Sequence, residues 1–315
     1  MIPMPAAALS STGDALAAGP AGLVHSDAVN SGAVCADSGD WLPSFFIIGP
    51  PRTGTSWLYE VLRPHITLPS PLKETRFFDQ HFHRGLKWYQ THYPSVSRER
   101  RVGEIAPTYF ASTAVPERIA QTAPQAKVVC VFRNPVERVL SLYRLKRAYG
   151  LIPWTFELAI TRDPELMESS KYASNLKNWQ LAMGKDKVLA TIYDDLRDRP
   201  QAFVDTLADF IEIPRFMLTH DQLRRVHDSD SLTLPRSYYR TRSATLMADW
   251  FKARHLGKIV AAFHRSPLRK LVLGGGAPFA KVSRDTAARL CDTLRPEVEE
   301  LEGLLHRDFS SWKRL

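Results

Sequence analysis

Five consecutive residues, Arg52-Thr53-Gly54-Thr55-Ser56, set one cation, three hydroxyls and a glycine between an apolar run and an amphipathic one. Across Phe45 to Leu62, FFIIGPPRTGTSWLYEVL, that order predicts a buried strand, a glycine-bearing turn and a helix whose unpaired N–H groups face an anion. Gly54 permits the sharp turn, while Thr53, Thr55 and Ser56 add hydroxyl donors. The chemistry suited to such a stretch is the holding of a phosphate. Triphosphate hydrolysis is disfavoured, because a loop built for it reads G-x-x-x-x-G-K-[ST] and here Thr55 stands where the lysine belongs. The cation has moved to Arg52. A kinase or nucleotidase would also need an Mg²⁺-binding Asp after an apolar strand, and VCVFRNP has an arginine there.

Other positions have the residue types needed around a bound phosphate. Lys73 and Glu74 are neighbours in the loop LKET. Arg133 ends the apolar run AKVVCVFR and precedes Asn134 and Pro135, which are suited to cap and open a helix, so it stands where an anion would be held. Ser141 lies about two turns further along that helix. Arg138 and Arg144 fall on other faces and are expected in solvent. His65, His81 and His83 are alternative proton acceptors, although each reads first as a surface or loop histidine.

These residues need a frame that brings distant loops together. SFFIIG, AKVVCVFR and DKVLATIYDDL read as strands, and each is followed by a helical stretch: TSWLYEVLRP, stopped near Pro64, then VERVLSLYRLKRAYG, then PQAFVDTLADFIEI. The alternation predicts a three-layer α/β fold with a central, mostly parallel sheet flanked by helices. Ligands of such sheets sit outside the carboxyl ends of the strands, where three loop-rich insertions would lie: LPSPLKETRFFDQHFHRG, SRERRVGEIAPTYF and HDSDSLTLPRSYYRTRS. The stretch DTAARLCDTLRPEVEELEGLLHRDFSSW reads as a closing helix with a docking segment.

Residues 1–40 are small and weakly polar and are expected to form a disordered leader, with one domain over residues 41–315. Lys plus Arg outnumber Asp plus Glu by 42 to 33, and the resulting +9 favours an anionic ligand. A nucleic-acid module would need a concentrated basic patch, whereas most cations here stand among acids, so no nucleic-acid partner is expected. Cys35, Cys130 and Cys291 are odd in number and far apart, with no disulfide framework and no metal spacing. A reducing cytoplasm is the expected location.

Taken in order, these segments resemble the sulfotransferases that use 3′-phosphoadenosine 5′-phosphosulfate (PAPS), a family with a P-loop NTPase-like fold. PPRTGTSWL is similar to their 5′-phosphosulfate loop, P-[KR]-x-G-[TS]-[TS], and VFRNPVERVLSLYR to their 3′-phosphate segment. PLKETRFFD and GEIAPTY resemble the K-E-x-x-F-F and G-E-K-[ST]-P-x-Y segments of the heparan sulfate sulfotransferases, with Ile105 in place of the lysine. SKYASNLKNW and IYDDLRDRPQAFVDTLADFIEI extend the likeness.

The resemblance implies PAPS as co-substrate, 3′-phosphoadenosine 5′-phosphate (PAP) as product, and no metal. It gives Thr53, Gly54, Thr55 and Ser56 to the 5′-phosphate, and Arg133 with Ser141 to the 3′-phosphate. Arg52 would neutralise charge on the bridging oxygen, an electrostatic role, since arginine is a poor proton donor. Glu74 would be the base, and Lys73 would contact sulfate oxygens or the leaving phosphate. Trp57 either stacks on adenine or packs in the core, and Tyr193 either touches adenine or closes a strand end. LPRSYYRTRS covers the 3′-phosphate, binds an anionic acceptor or is a solvated loop. The implied acceptor is a hydroxyl or amine on a glycan, lipid or small metabolite, a lipid bringing peripheral membrane contact.

Overall fold

The computed structural model of the protein describes residues 41–93, 100–224, 232–253 and 275–314. The expected leader, residues 1–40, lies outside them. Four strands form the central sheet: β1 (Phe45–Ile47), β2 (Gly103–Ile105), β3 (Lys127–Phe132) and β4 (Val188–Ile192). Their order is β2-β1-β3-β4, and every pairing is parallel. Three were expected; β2 was read as part of a loop-rich insertion. Only three residues long, with an acid at its centre, it has no apolar run to signal a strand, and pairing with β1 makes it one.

Alternate residues of the strands face opposite layers, as the two-residue period requires. On one side Phe46, Val128, Cys130 and Phe132 pack with Tyr172, Leu176 and Trp179 of helix Tyr172–Met183 and with Val298 and Leu301 of helix Arg284–Leu305. On the other, Phe45, Ile47, Val129 and Val131 pack with Leu58, Val61 and Leu62 of helix α1 (Thr55–Leu62). Helix Pro200–Ile211 completes that layer through Val204, Leu207 and Ile211. Burial of each such side chain contributes about 1.5–3 kcal/mol. The three expected layers are therefore present, and the sheet is buried on both faces.

Two glycines in or beside the sheet leave no room for a side chain, one against a ring and one against backbone. A Cβ at Gly103 would enter the Phe45 ring at 2.1 Å, and one at Gly49 would meet the Val131 nitrogen at 2.6 Å. Part of the polar stretch after residue 231 pairs as a two-stranded antiparallel ribbon, Thr233–Pro235 against Gly275–Pro278. The described portion of the chain has no helix long and apolar enough to cross a membrane. Cys130 and Cys291 are buried free thiols.

Candidate active site

The turn between β1 and α1 has the shape its residues imply. Gly54 caps the helix at φ 89°, a left-handed conformation that suits glycine. Its missing side chain also makes room for the Tyr193 ring, which a Cβ would meet at 3.2 Å. Arg52 is left-handed too, at φ 79°, and for a residue with a Cβ this costs on the order of 1–2 kcal/mol. The Thr53 hydroxyl donates to the Pro50 carbonyl at 2.8 Å and is fully buried, so this side chain closes the loop from inside. Thr55 is buried and Ser56 exposed at the helix start.

Two charged groupings flank this turn. On the β2 side, Lys73 Nζ donates to Ser56 Oγ at 3.1 Å and stands 3.9 Å from Glu74 Oε1. Burial pushes the Glu74 carboxyl above its ordinary value while Lys73 pulls it down, and burial lowers the Lys73 ammonium. A partly desolvated carboxylate beside a cation, next to the start of α1, has the chemistry to take up a proton close to a bound anion.

Behind Glu74 lies a residue that the sequence reading left without a role. Glu104, in the middle of β2, is wholly buried and accepts from the Thr75 backbone N–H at 2.9 Å, the Thr75 hydroxyl at 2.6 Å and the hydroxyls of Tyr89 and Tyr109 at 2.6 and 3.2 Å. Its carboxyl is held above the usual range by burial, these hydrogen bonds opposing the shift. Thr75 follows Glu74 directly, so Glu104 anchors the loop that carries it. The signal was an acid inside VGEIA, where an apolar strand residue would otherwise stand. We expect Glu104→Leu, which strands these donors, to cost several kcal/mol at about 1–3 kcal/mol per unsatisfied group, with Glu104→Gln costing much less. Urea denaturation of the two variants checks this. Ile105 beside it is fully buried in the apolar layer under α1, so the residue in the lysine's place supplies packing and no cation.

On the β3 side, Arg52 Nε donates to Ser141 Oγ at 2.9 Å, and the charge of Arg133 adds to burial in lowering the Arg52 guanidinium. Arg133 lies 5.0 Å over the Tyr193 ring and donates through Nε and Nη2 to Glu137 at 3.2 and 2.9 Å. Asn134 caps helix α2 (Pro135–Ala148) through Val136 and Glu137 N–H, as its type implies. Arg52, Arg133 and Tyr193, which follow the ends of three strands, are thus drawn together with Ser141 of α2.

Arg138 corrects an expectation. Placed in solvent by the helical pattern, it is wholly buried, because the segment Leu166–Ser170 covers that face of α2 and accepts its hydrogen bonds. Arg144 is half-buried. Trp57 is 9% exposed, packs with Leu58 and Val61, and donates its indole N–H to the Gln222 carbonyl at 2.8 Å, which makes it a wall of the core. His65 stacks on Phe216 at 3.7 Å, and His81 packs on Trp88 at 5.1 Å. Among the described residues no hydrogen bond links His65, His81 or His83 to Glu74 or the loop. The described residues also include no group of three His, Cys, Asp or Glu able to hold a metal.

Comparison with known proteins adds to this geometry. The sulfotransferase domain family matches residues 42–256. The bifunctional heparan sulfate N-deacetylase/N-sulfotransferase 2 of Bos taurus is 31% identical over 201 residues, 56% of this chain and 23% of that protein. The human enzyme 3 of the same name is 28% identical over 283 residues, 74% of this chain and 32% of that protein. The chain thus spans about a quarter to a third of the length of these relatives. A crystal structure of a sulfotransferase from Alicyclobacillus acidocaldarius superposes with a TM-score of 0.61 at 21% identity, covering 87% of this chain and 99% of that one.

Proposed function

The chain belongs to the sulfotransferase domain family, and on that premise we propose that it moves the sulfuryl group of PAPS to an amine or hydroxyl of an anionic glycan. The observation that carries this reading is the pair of hydrogen bonds made by the two flanking groups, Lys73 to Ser56 and Arg52 to Ser141, which put a cation on each side of one strand-turn-helix cradle. The cradle holds the 5′-phosphate at the start of α1, and Arg133 and Ser141 take the 3′-phosphate.

In the transfer, the S–O bond to the bridging oxygen breaks as a bond forms from sulfur to the acceptor nitrogen or oxygen. The electron pair stays on the 5′-phosphate, near Arg52 and Lys73, and the acceptor proton passes to Glu74. Little covalent work falls to the protein beyond alignment and charge placement. For the acceptor, the relatives are named as heparan sulfate enzymes. A cavity of about 550 Å³ is lined by Tyr59, Arg63, Leu68, Ser70, Tyr93 and Arg100, and Lys73 Nζ lies 5.4 Å over the ring of its Tyr59. Two arginines with two tyrosines suit the acidic sugar units of a polymer.

Calorimetric titration tests the donor. PAP is expected to bind more tightly than ATP or adenosine 5′-phosphosulfate, and Arg133→Ala to weaken PAP about 10- to 100-fold, the value of one or two charge-assisted hydrogen bonds. Equal affinity for all three nucleotides would sink the reading. Transfer of radiolabelled sulfate to a uronic acid–glucosamine polymer with free amines, compared with its N-acetylated form, tests the acceptor. No label on either polymer would remove the glycan.

A further inference from the structure

Arg138 is a buried charge whose partners are all neutral. Its Nε donates to Ser170 Oγ at 3.1 Å, Nη2 donates to the same oxygen and to the Leu166 carbonyl at 2.6 Å, and Nη1 reaches the Pro51 carbonyl at 3.5 Å. Among the described residues no carboxylate forms an ion pair with it, and the acids of the adjoining segment, Asp163 and Glu165, are paired with Lys146. Taking a guanidinium out of water with hydrogen bonds to neutral groups alone, and only the field of Glu165, a carboxylate shared with Lys146, to offset its charge, costs several kcal/mol, so a purely structural tie at this place would be better made by a neutral side chain.

Its surroundings give the charge a use. Pro51 immediately precedes Arg52, and Tyr172, two residues beyond Ser170, donates its hydroxyl to the Arg133 carbonyl at 3.0 Å. One short segment, Leu166–Tyr172, therefore holds Arg138 by a side chain and Arg133 by its backbone. Arg138 in turn reaches the loop that carries Arg52. The arginines also repel: Arg133 contributes to lowering both Arg52 and Arg138. Among the described residues, the carboxylate hydrogen-bonded to this trio is Glu137, on the exposed side of Arg133.

We propose that Arg138 is a positioning residue of the donor site, tying the Pro51–Arg52 turn to the Leu166–Tyr172 segment and leaving its charge to be balanced by the phosphates of bound PAPS. The proposal rests on the donor assigned above. The arginine is costly in the empty protein and useful in the loaded one, so the site stores a preference for a multiply charged ligand.

The test titrates PAP into the parent, Arg138→Met, Arg138→Gln and Arg138→Lys, and records melting temperatures with and without PAP. For Arg138→Met, PAP affinity is expected to fall about tenfold or more, with the donor KM rising in step and kcat at saturating donor held within about threefold. The melting temperature without PAP should move by only a few degrees, since a costly charge leaves with its hydrogen bonds, while the upward shift produced by PAP shrinks. Arg138→Lys, which keeps the charge, should recover part of the affinity. If Arg138→Met does not fold, Arg138→Gln carries the same comparison. A folded neutral variant that binds PAP within about twofold of the parent overturns the proposal, whatever its melting temperature. Failure of the parent to bind PAP overturns the donor assignment and this proposal with it, which separates the two.

Discussion

Glu74→Gln is expected to lower kcat by about 10²–10⁴-fold while leaving PAP affinity within a small factor of the parent, the usual worth of a positioned general base. Glutamine keeps the shape and the hydrogen-bonding reach of the side chain, so what it removes is the ability to take a proton. The pH profile should carry the same signature. Burial raises the Glu74 carboxyl despite Lys73, so the base becomes competent as pH rises through a midpoint above the ordinary carboxylate range. Stability has the opposite sign. The folded state favours the protonated form, so the stabilisation from this group is present at low pH and is lost as pH rises through the raised value. Sulfate transfer followed across pH in parent and variant checks both. An acid limb that survives unchanged in an active Glu74→Gln would assign the base elsewhere.

Arg52→Ala is expected to cost about 10²–10³-fold in kcat, the range seen when a preorganised charge-stabilising donor is removed from a transition state. The argument depends on where Arg52 sits. Its strained backbone and its bond to Ser141 Oγ hold a permanently charged guanidinium against the cradle, partly desolvated, where its field is strong. Lysine at the same place keeps the charge and adds a proton that can be donated, so Arg52→Lys should retain activity within about tenfold of the parent. Single-turnover transfer with saturating donor separates this effect from binding. An Arg52→Ala variant with kcat within about threefold of the parent would leave the cation without a part in the chemistry.

Much of this site is legible from residue order. Thr53, Gly54, Thr55 and Ser56 are adjacent in the chain, and a turn feeding a helix is a local event governed by backbone geometry and capping. Asn134 and Pro135 announce their helix in the same way. The sheet was legible where strands are long and apolar. It was not at Gly103–Ile105, whose identity as a strand comes from a partner about sixty positions away. Arg138 was misplaced for a related reason. A helical wheel shows which residues share a face, whereas the segment Leu166–Ser170 that buries this one arrives from outside the helix.

By itself, then, the sequence determined the strand-turn-helix loop, the alternating α/β order and the identity of the charged residues around it, because each depends on neighbours in the chain or on periodicity. Tertiary structure alone decided which of those charges meet. It joined Arg52 to Ser141 and Lys73 to Ser56, and it packed Trp57 with Leu58 and Val61. It also set Glu104 behind the Glu74 loop and left Arg138 buried among neutral partners. These are contacts between segments far apart in the chain, fixed by how the strands order and what covers each helix face, and desolvation, which gives such charges their force, exists only once that packing is made.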